Sequence, residues 1–535
     1  MQIDRRDFLR LGAGGAGLAA AGFVLPSCAP AMSRPPASVF DQGVASGLHS
    51  STEAVLWTRV EPGLSGGATS AGWEVATDPG FGTVVASGQV PVTATSDHCV
   101  KVLAGGLQPD RSYWYRFTVG TASGDVVSPV GRARTLPPAG SSPESLRLGF
   151  GTCQSYNAGW YQAWRQMGES DLDAVLFLGD FIYESAAGQL LGSVRDEPTI
   201  DTARTLEDYR AKYRLYKTDP DLQFGHAAHP VVPVWDDHEV TNDYDSGLLL
   251  DDPTRVAAAY QAWFEYQPVW PQGTGADRFR IYRDLSWGDL GQVFMLDTRQ
   301  YRARHSGQTF PVLATPLTDA ELAPGRSILG QPQRDWLLGG LDAAQTAGTR
   351  WKVVGNQVMI APIRVLDLDT PELRAANPYT PKHQGLYSNT NLDSWDGFPW
   401  ERDLVLGHLR DSGVTNTVFV TGDYHSFWAA PLYADFDDDT SPVVAHEFAA
   451  GAISSGGGAT AEKVLFGDES NLRTSPAFDY ADLSRNGYGT LEATPDQMVV
   501  TFRMHDATVR SAVPRPVVQF TLRDGDPVST TTLLR

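Results

Sequence analysis

The sequence predicts a β-sandwich followed by an α/β domain that carries a chemical site at the ends of its strands. Three observations lead there. Residues from about 39 to 135 fall into short alternating runs broken by Gly, Pro, Asp and Ser; from Leu146 onward apolar runs alternate with helical stretches; and four of those runs end on side chains of the kind that bind metals. Alternation with a period of two buries one face of a strand, whereas continuous apolar strands separated by helices belong to sheets covered on both faces.

Near the N-terminus stand Asp4-Arg5-Arg6-Asp7-Phe8-Leu9-Arg10 and a weakly apolar, Gly- and Ala-rich run from Leu11 to Leu25. About 15 residues fall short of the ~20 that cross a bilayer, so the segment reads as an export signal rather than a membrane helix. Twin arginines ahead of Phe-Leu resemble the Tat signal, whose machinery exports folded proteins. Cleavage after Ala31 assigns residues 1–31 to the signal and the mature protein to the periplasm or the medium. Leu25-Pro26-Ser27-Cys28 is a poor lipoprotein box, because Pro sits inside it, and no other segment is apolar and long enough for a transmembrane anchor.

With 535 residues and 42% hydrophobic content, the chain supports two or three domains. A net charge of −21 argues against a nucleic-acid or anionic-membrane surface, since phosphate-rich partners are repelled over most of the exterior. Cations must then supply the attraction for any phosphate ester substrate. Of three cysteines, Cys28 lies in the signal, which leaves Cys99 and Cys153 and at most one disulfide. Cys99, inside His98-Cys99-Val100-Lys101-Val102, reads as a small buried hydrophobe.

Residues 32–138 form the expected N-terminal β-sandwich domain, with strands such as Ala54–Arg59 and Ser112–Val119. Leu107 to Tyr115 resembles the turn and aromatic strand of a fibronectin type III-like domain, a scaffold without chemistry of its own. Leu136 to Pro143 reads as a linker, and residues 139–535 as the α/β catalytic domain.

In that domain Leu146–Phe150 leads into Gly151-Thr152-Cys153, Ala174–Leu178 into Gly179-Asp180, Val231–Trp235 into Asp236-Asp237-His238-Glu239, and Val418–Thr421 into Gly422-Asp423-Tyr424-His425. Singly, an Asp after a strand is often a helix cap and a buried His a hydrogen-bonded core residue. Together they place a site at the carboxyl edge of the sheet, where loops converge. Asp180, with Tyr183 three residues on, has the makings of a bridging ligand.

These motifs, with Phe181-Ile182-Tyr183-Glu184, Asn242-Asp243-Tyr244 and Leu296-Asp297-Thr298-Arg299-Gln300-Tyr301, resemble the PhoD-like alkaline phosphatases and phosphodiesterases of the calcineurin-like metallophosphatase superfamily, a family that includes secreted phospholipase D enzymes. The resemblance implies a four-layer αββα core, iron(III) and calcium, and hydrolysis of phosphomonoesters or phosphodiesters by a metal-activated water. The donor chemistry agrees: Cys153, Asp180, Tyr183 and His425 suit iron(III), while Asp180, Asp237, Asn242 and Asp423 offer the oxygens calcium prefers. Of Asp236 and Asp237, the second is favoured because related metallophosphatases place the ligand directly before the catalytic His, here His238. His238 is expected to stabilise the transition state or protonate the leaving group.

Arg299 either touches a substrate phosphoryl oxygen or pairs with Asp297, and Arg255 and Lys382 are further candidates for holding phosphate. Ser454 to Gly458 and the loops around Asn377 to Trp400 are candidates for a lid, with surface connection as the default. The acidic run Asp435 to Asp439 reads as a solvated turn. A non-catalytic exported binding protein is the competing class, against which the intact ligand set at every motif argues.

Overall fold

The computed structural model describes residues 38–185, 193–197, 202–304, 314–367, 383, 385–388, 390–456 and 478–534. The export segment with Cys28, and Lys382, lie outside the described residues. From Val44 to Arg134 every strand pairing is antiparallel, in a three-stranded sheet (Val44–Leu48, Ala54–Arg59, Cys99–Ala104) and a five-stranded one built on Ser112–Thr121. Tyr113, Tyr115, Phe117 and Val119 alternate inward along that central strand into a core with Leu56, Val75 and Val102. This is the expected all-β region, and its period-two pattern is the cause. Cys99 is buried in it as a free thiol.

Two seven-stranded mixed sheets form most of the rest, with a small three-stranded antiparallel sheet of Ala314–Thr315, Gly385–Ser388 and Arg364–Asp367 beside them. The first runs, in spatial order, Val231–Val234, Ala174–Leu178, Leu146–Gly151, Asn486–Ala493, Gln497–His505, Arg515–Arg523 and Thr530–Leu533. The second runs Arg283–Trp287, Gly291–Met295, Trp351–Gly355, Thr417–Thr421, Val443–Ala449, Phe427–Tyr433 and Tyr480–Asp482. Leu178 of the first sheet and Met295 of the second both press on Gly355, so the sheets face each other. Their outer faces carry helices: Phe177 stacks on Trp164 of the Gln162–Glu169 helix, and Phe294 contacts Gly340 of the Gln331–Thr346 helix. Helix, sheet, sheet and helix are the four expected layers.

The strands that carry the motifs end within a residue of expectation. Ala174–Leu178 pairs in parallel with both Leu146–Gly151 and Val231–Val234, which brings three motif loops to one edge. In the second sheet Thr417–Thr421 runs parallel to both neighbours and delivers the fourth.

Candidate metal centre

Beyond each strand end the backbone turns left-handed. Cys153, Asp180, Asp423 and His425 have φ of 54°, 58°, 66° and 51°, and Asp243 in the neighbouring loop has 52°. Such conformations cost about 1–3 kcal/mol each in non-glycine residues and persist where the surroundings over-determine them, often at functional sites. Gly179, at φ 106°, permits one of these turns, since a Cβ there would lie 2.4 Å from Asp236 Cβ. Glu239 fixes the same place: its carboxylate accepts the N–H groups of Asp180 at 3.0 Å, Phe181 at 2.6 Å and Asp236 at 2.8 Å.

The result is three overlapping sets of donors whose ligand atoms lie within 4.8 Å of one another: Cys153 with Asp180 and His425; Asp180 with Asp237 and His238; Asp236 with Asp237 and Asp423. Asp180 and Asp237 link the sets into one chain. Tyr183 joins the first, donating from its hydroxyl to Asp180 Oδ2 at 3.0 Å and lying 3.0 Å from His425 Nε2. Cys153 Sγ stands 3.4 Å from Asp180 Oδ2. Asn242 is exposed, and its link to the site is a backbone N–H 3.2 Å from Glu184 Oε1.

The electrostatics of this cluster call for positive charge. Burial, with Asp237, Asp236 and Glu239 nearby, pushes Asp180 well above the usual carboxylate range, although His238 opposes the shift. Burial and the neighbouring Asp236 do the same to Asp423, and burial with Asp180 raises both the Cys153 thiol and the Tyr183 phenol. His425, held down at about 4 by burial and by His238, presents a neutral imidazole. Asp236 Oδ2 and Asp237 Oδ1 are buried without a hydrogen-bond donor. Thiol, phenol, imidazole and crowded carboxylates of this kind fit bound cations, which favour the deprotonated ligand and so reverse the raised values of Asp180, Asp423, Cys153 and Tyr183 and reinforce the neutral form of His425.

His238 is bound through Nδ1 to Glu184 Oε2 at 2.7 Å. Burial disfavours its imidazolium, but Asp237, Asp180 and Glu184 outweigh that and hold it well above the ordinary histidine value. The Arg299 guanidinium is fully buried and pairs with carboxylates other than the expected Asp297. Nε binds Asp236 Oδ1, Nη1 binds Asp393 Oδ2 at 2.5 Å, and Nη2 lies 3.5 Å from Asp237 and Asp423. From Arg299 the Asp297 carboxylate accepts the backbone N–H, at 3.1 Å, and it also accepts from Trp235 Nε1 and Gln300. Arg255 is likewise turned to structure, bound to Tyr209 Oη and the Val240 carbonyl. In the acidic run, Asp437 departs from the solvated turn: it is buried and held by Arg364 and by His383 at 2.9 Å. Ser454 and Ser455 are buried wall rather than lid, and Ser455 Oγ donates to Tyr183 Oη at 2.7 Å.

Glu184 and Glu239 have no assigned role in the sequence-based expectations, and Asp393 and Ser455 enter there only within candidate lid segments. Glu184 and Glu239 sit inside quoted motifs, where a buried acid beside a ligand was a usable signal. Asp393 and Ser455 reach the site from remote loops, and nothing local marks their contacts with Arg299 and Tyr183.

Two packed sheets with metal-type ligands on the strand ends define a metallophosphatase. The chain belongs to the PhoD-like phosphatase family: that family's model matches residues 148–502, and the model of the PhoD-like phosphatase N-terminal domain matches residues 27–137. It is 34% identical over 529 residues to alkaline phosphatase D of Bacillus subtilis (strain 168), covering 94% of this chain and 84% of the relative. The solved structure of PhoD superposes with a TM-score of 0.79 at 31% identity, covering 92% of each chain. A purple acid phosphatase from yellow lupin seeds shares the fold at 10% identity, with a TM-score of 0.50 over 90% of this chain and 74% of that one. The protein is a hydrolase of phosphoric esters.

Proposed function

We propose that the protein is an exported, metal-dependent phosphoric ester hydrolase of the alkaline phosphatase D type, acting on phosphomonoesters, phosphodiesters or both. The observation that carries this reading is the chain of three donor sets joined through Asp180 and Asp237. Cys153, Asp180, Tyr183 and His425 would hold iron(III); Asp180, Asp237 and Asp423 would hold calcium, with Asn242 following five residues after Asp237. When bound, the cations supply Lewis acidity, lowering the pKa of water and neutralising charge on phosphoryl oxygens.

The chain's own groups do the rest. Glu184 occupies Nδ1 of His238 and so leaves Nε2 for the substrate, with a proton available to the departing oxygen. Arg299 is a positioning residue that holds Asp236 and balances Asp237 and Asp423. Residues 1–31 serve as a Tat signal, 32–138 as the N-terminal domain and 139–535 as the catalytic domain. Among the described residues no helix is long and apolar enough to cross a membrane.

The test uses purified protein with p-nitrophenyl phosphate and bis(p-nitrophenyl) phosphate, alongside elemental analysis. Turnover of at least one ester, with iron and calcium bound, supports the reading; folded protein without metal or turnover overturns it. The ratio of the two rates assigns the ester class.

A pH dependence follows. An acid whose folded pKa is raised contributes stability that declines as pH climbs from its unfolded to its folded value, and Asp180 and Asp423 behave this way. Re-added cations cancel that loss by displacing the protons. The rise in melting temperature on reloading chelator-stripped protein is therefore expected to grow as pH is raised above the ordinary carboxylate range, and a rise that did not change with pH would contradict the ligand assignment.

A further inference from the structure

The helix Leu206–Tyr216 touches both halves of the molecule through two neighbouring stripes. Tyr209, Tyr213 and Tyr216 recur at i, i+4 and i+7, and so share one face. Tyr209 Oη donates to the Val240 carbonyl at 2.6 Å, two residues beyond His238. The Tyr213 ring stacks on Phe181 at 5.9 Å, next to Asp180. Tyr216 Oη accepts the N–H of Tyr183 at 3.3 Å. One residue further along at each step, Arg210, Arg214 and Lys217 form the second stripe. Arg210 donates to the Thr95 carbonyl at 2.7 Å, Arg214 binds Asp97 at 2.6 Å, and Lys217 Nζ lies 4.2 Å above the Trp57 ring and 5.0 Å from that of Phe181. Thr95, Asp97 and Trp57 all belong to the N-terminal β region, and Asp97 is anchored there by Arg59 at 3.2 Å.

We infer that the N-terminal β region is a working part of the metal site, with the Leu206–Tyr216 helix as a strut that fixes the Asp180–Glu184 and His238–Asn242 loops against it. The inference rests on the proposed metal site. The tyrosine ties to the two loops are buried, while those of Arg210 and Arg214 to the β region lie nearer the surface, so displacing the helix moves both loops together. Partners that orient metal ligands from behind typically govern affinity by roughly 10–100-fold when removed, and Tyr216 and Arg214 hold the two ends of this one.

The experiment follows metal loss from full-length, metal-loaded protein after addition of EDTA, by elemental analysis at timed intervals. Arg214→Met, which frees the helix from Asp97, and Tyr216→Phe, which deletes the acceptor for Tyr183, are expected to release metal on the order of tenfold faster than wild type. Arg214→Lys, which keeps the charge and disturbs the fold least, is expected to fall between. Arg134→Met is the control, because Arg134 ties the same β region to Asp173 and Trp287 instead of to the helix; it should lower the melting temperature without hastening release. Wild-type release rates in all three helix-end variants, or equal acceleration in the control, would overturn the strut. A wild-type protein that carries no metal at all would instead remove the proposed site itself.

Discussion

Asp180→Asn is expected to lose both kinds of cation and to lower turnover by more than the roughly 100-fold that follows loss of an outer ligand partner. Asp180 belongs to two of the three donor sets. Its Oδ2 meets Tyr183 and Cys153, and its Oδ1 accepts the backbone N–H of His238 at 3.3 Å. An amide offers one neutral oxygen where a carboxylate offers two charged ones, so the bridge between sets fails. Asn is also the substitution that isolates chemistry from shape, because it tolerates the left-handed backbone that Asp180 adopts at φ 58°. Elemental analysis and turnover on one preparation decide the matter: a variant that kept both metals and its activity would show that Asp180 does not bridge.

His238→Ala is expected to keep its metals and lose roughly 10²–10⁴-fold in kcat, the range associated with a single proton donor. The imidazole sits against Tyr183, ring centroids 4.1 Å apart, and is oriented by Glu184 from the other side. Glu184→Gln should act more mildly and in a diagnostic direction. Removing that negative charge lets the His238 pKa fall, so the limb of the rate profile that reports its protonated form should move to lower pH. An unmoved profile in Glu184→Gln, or wild-type turnover in a metal-loaded His238→Ala, would take the proton-donor role away from His238.

The architecture was legible in the sequence wherever a local pattern determined it. Period-two alternation from Tyr113 to Val119 announced a strand of the β region, and apolar runs such as Ala174–Leu178 announced buried parallel strands with their ligands at the carboxyl ends. The convergence of Cys153, Asp180, Asp237, Asp423 and His425 on one edge was readable for the same reason. Less legible was what stands behind them. Arg299 occurs four residues after a strand, where a substrate contact is as reasonable as burial; only the tertiary convergence of Asp236, Asp237, Asp393 and Asp423 decides for burial. Asp437 read as solvated because its partners Arg364 and His383 are more than fifty residues away. The role of the Leu206–Tyr216 helix was invisible for a related reason, since its tyrosines look like ordinary core residues until their hydroxyls are traced to the loops.

The left-handed turns at Cys153, Asp180, Asp423 and His425 bear on how such a site comes to exist during folding. In a short peptide these residues would hold that backbone only as a minor population, and no isolated motif loop fixes its place in the cluster. Ligand spacing is therefore a property of two sheets locked face to face, with the loops as their passive extensions. A nascent chain holding only the first three motifs has the middle set but neither Asp423 nor His425, so the two outer sets close only when the fourth motif arrives and the complete cluster belongs to the finished molecule.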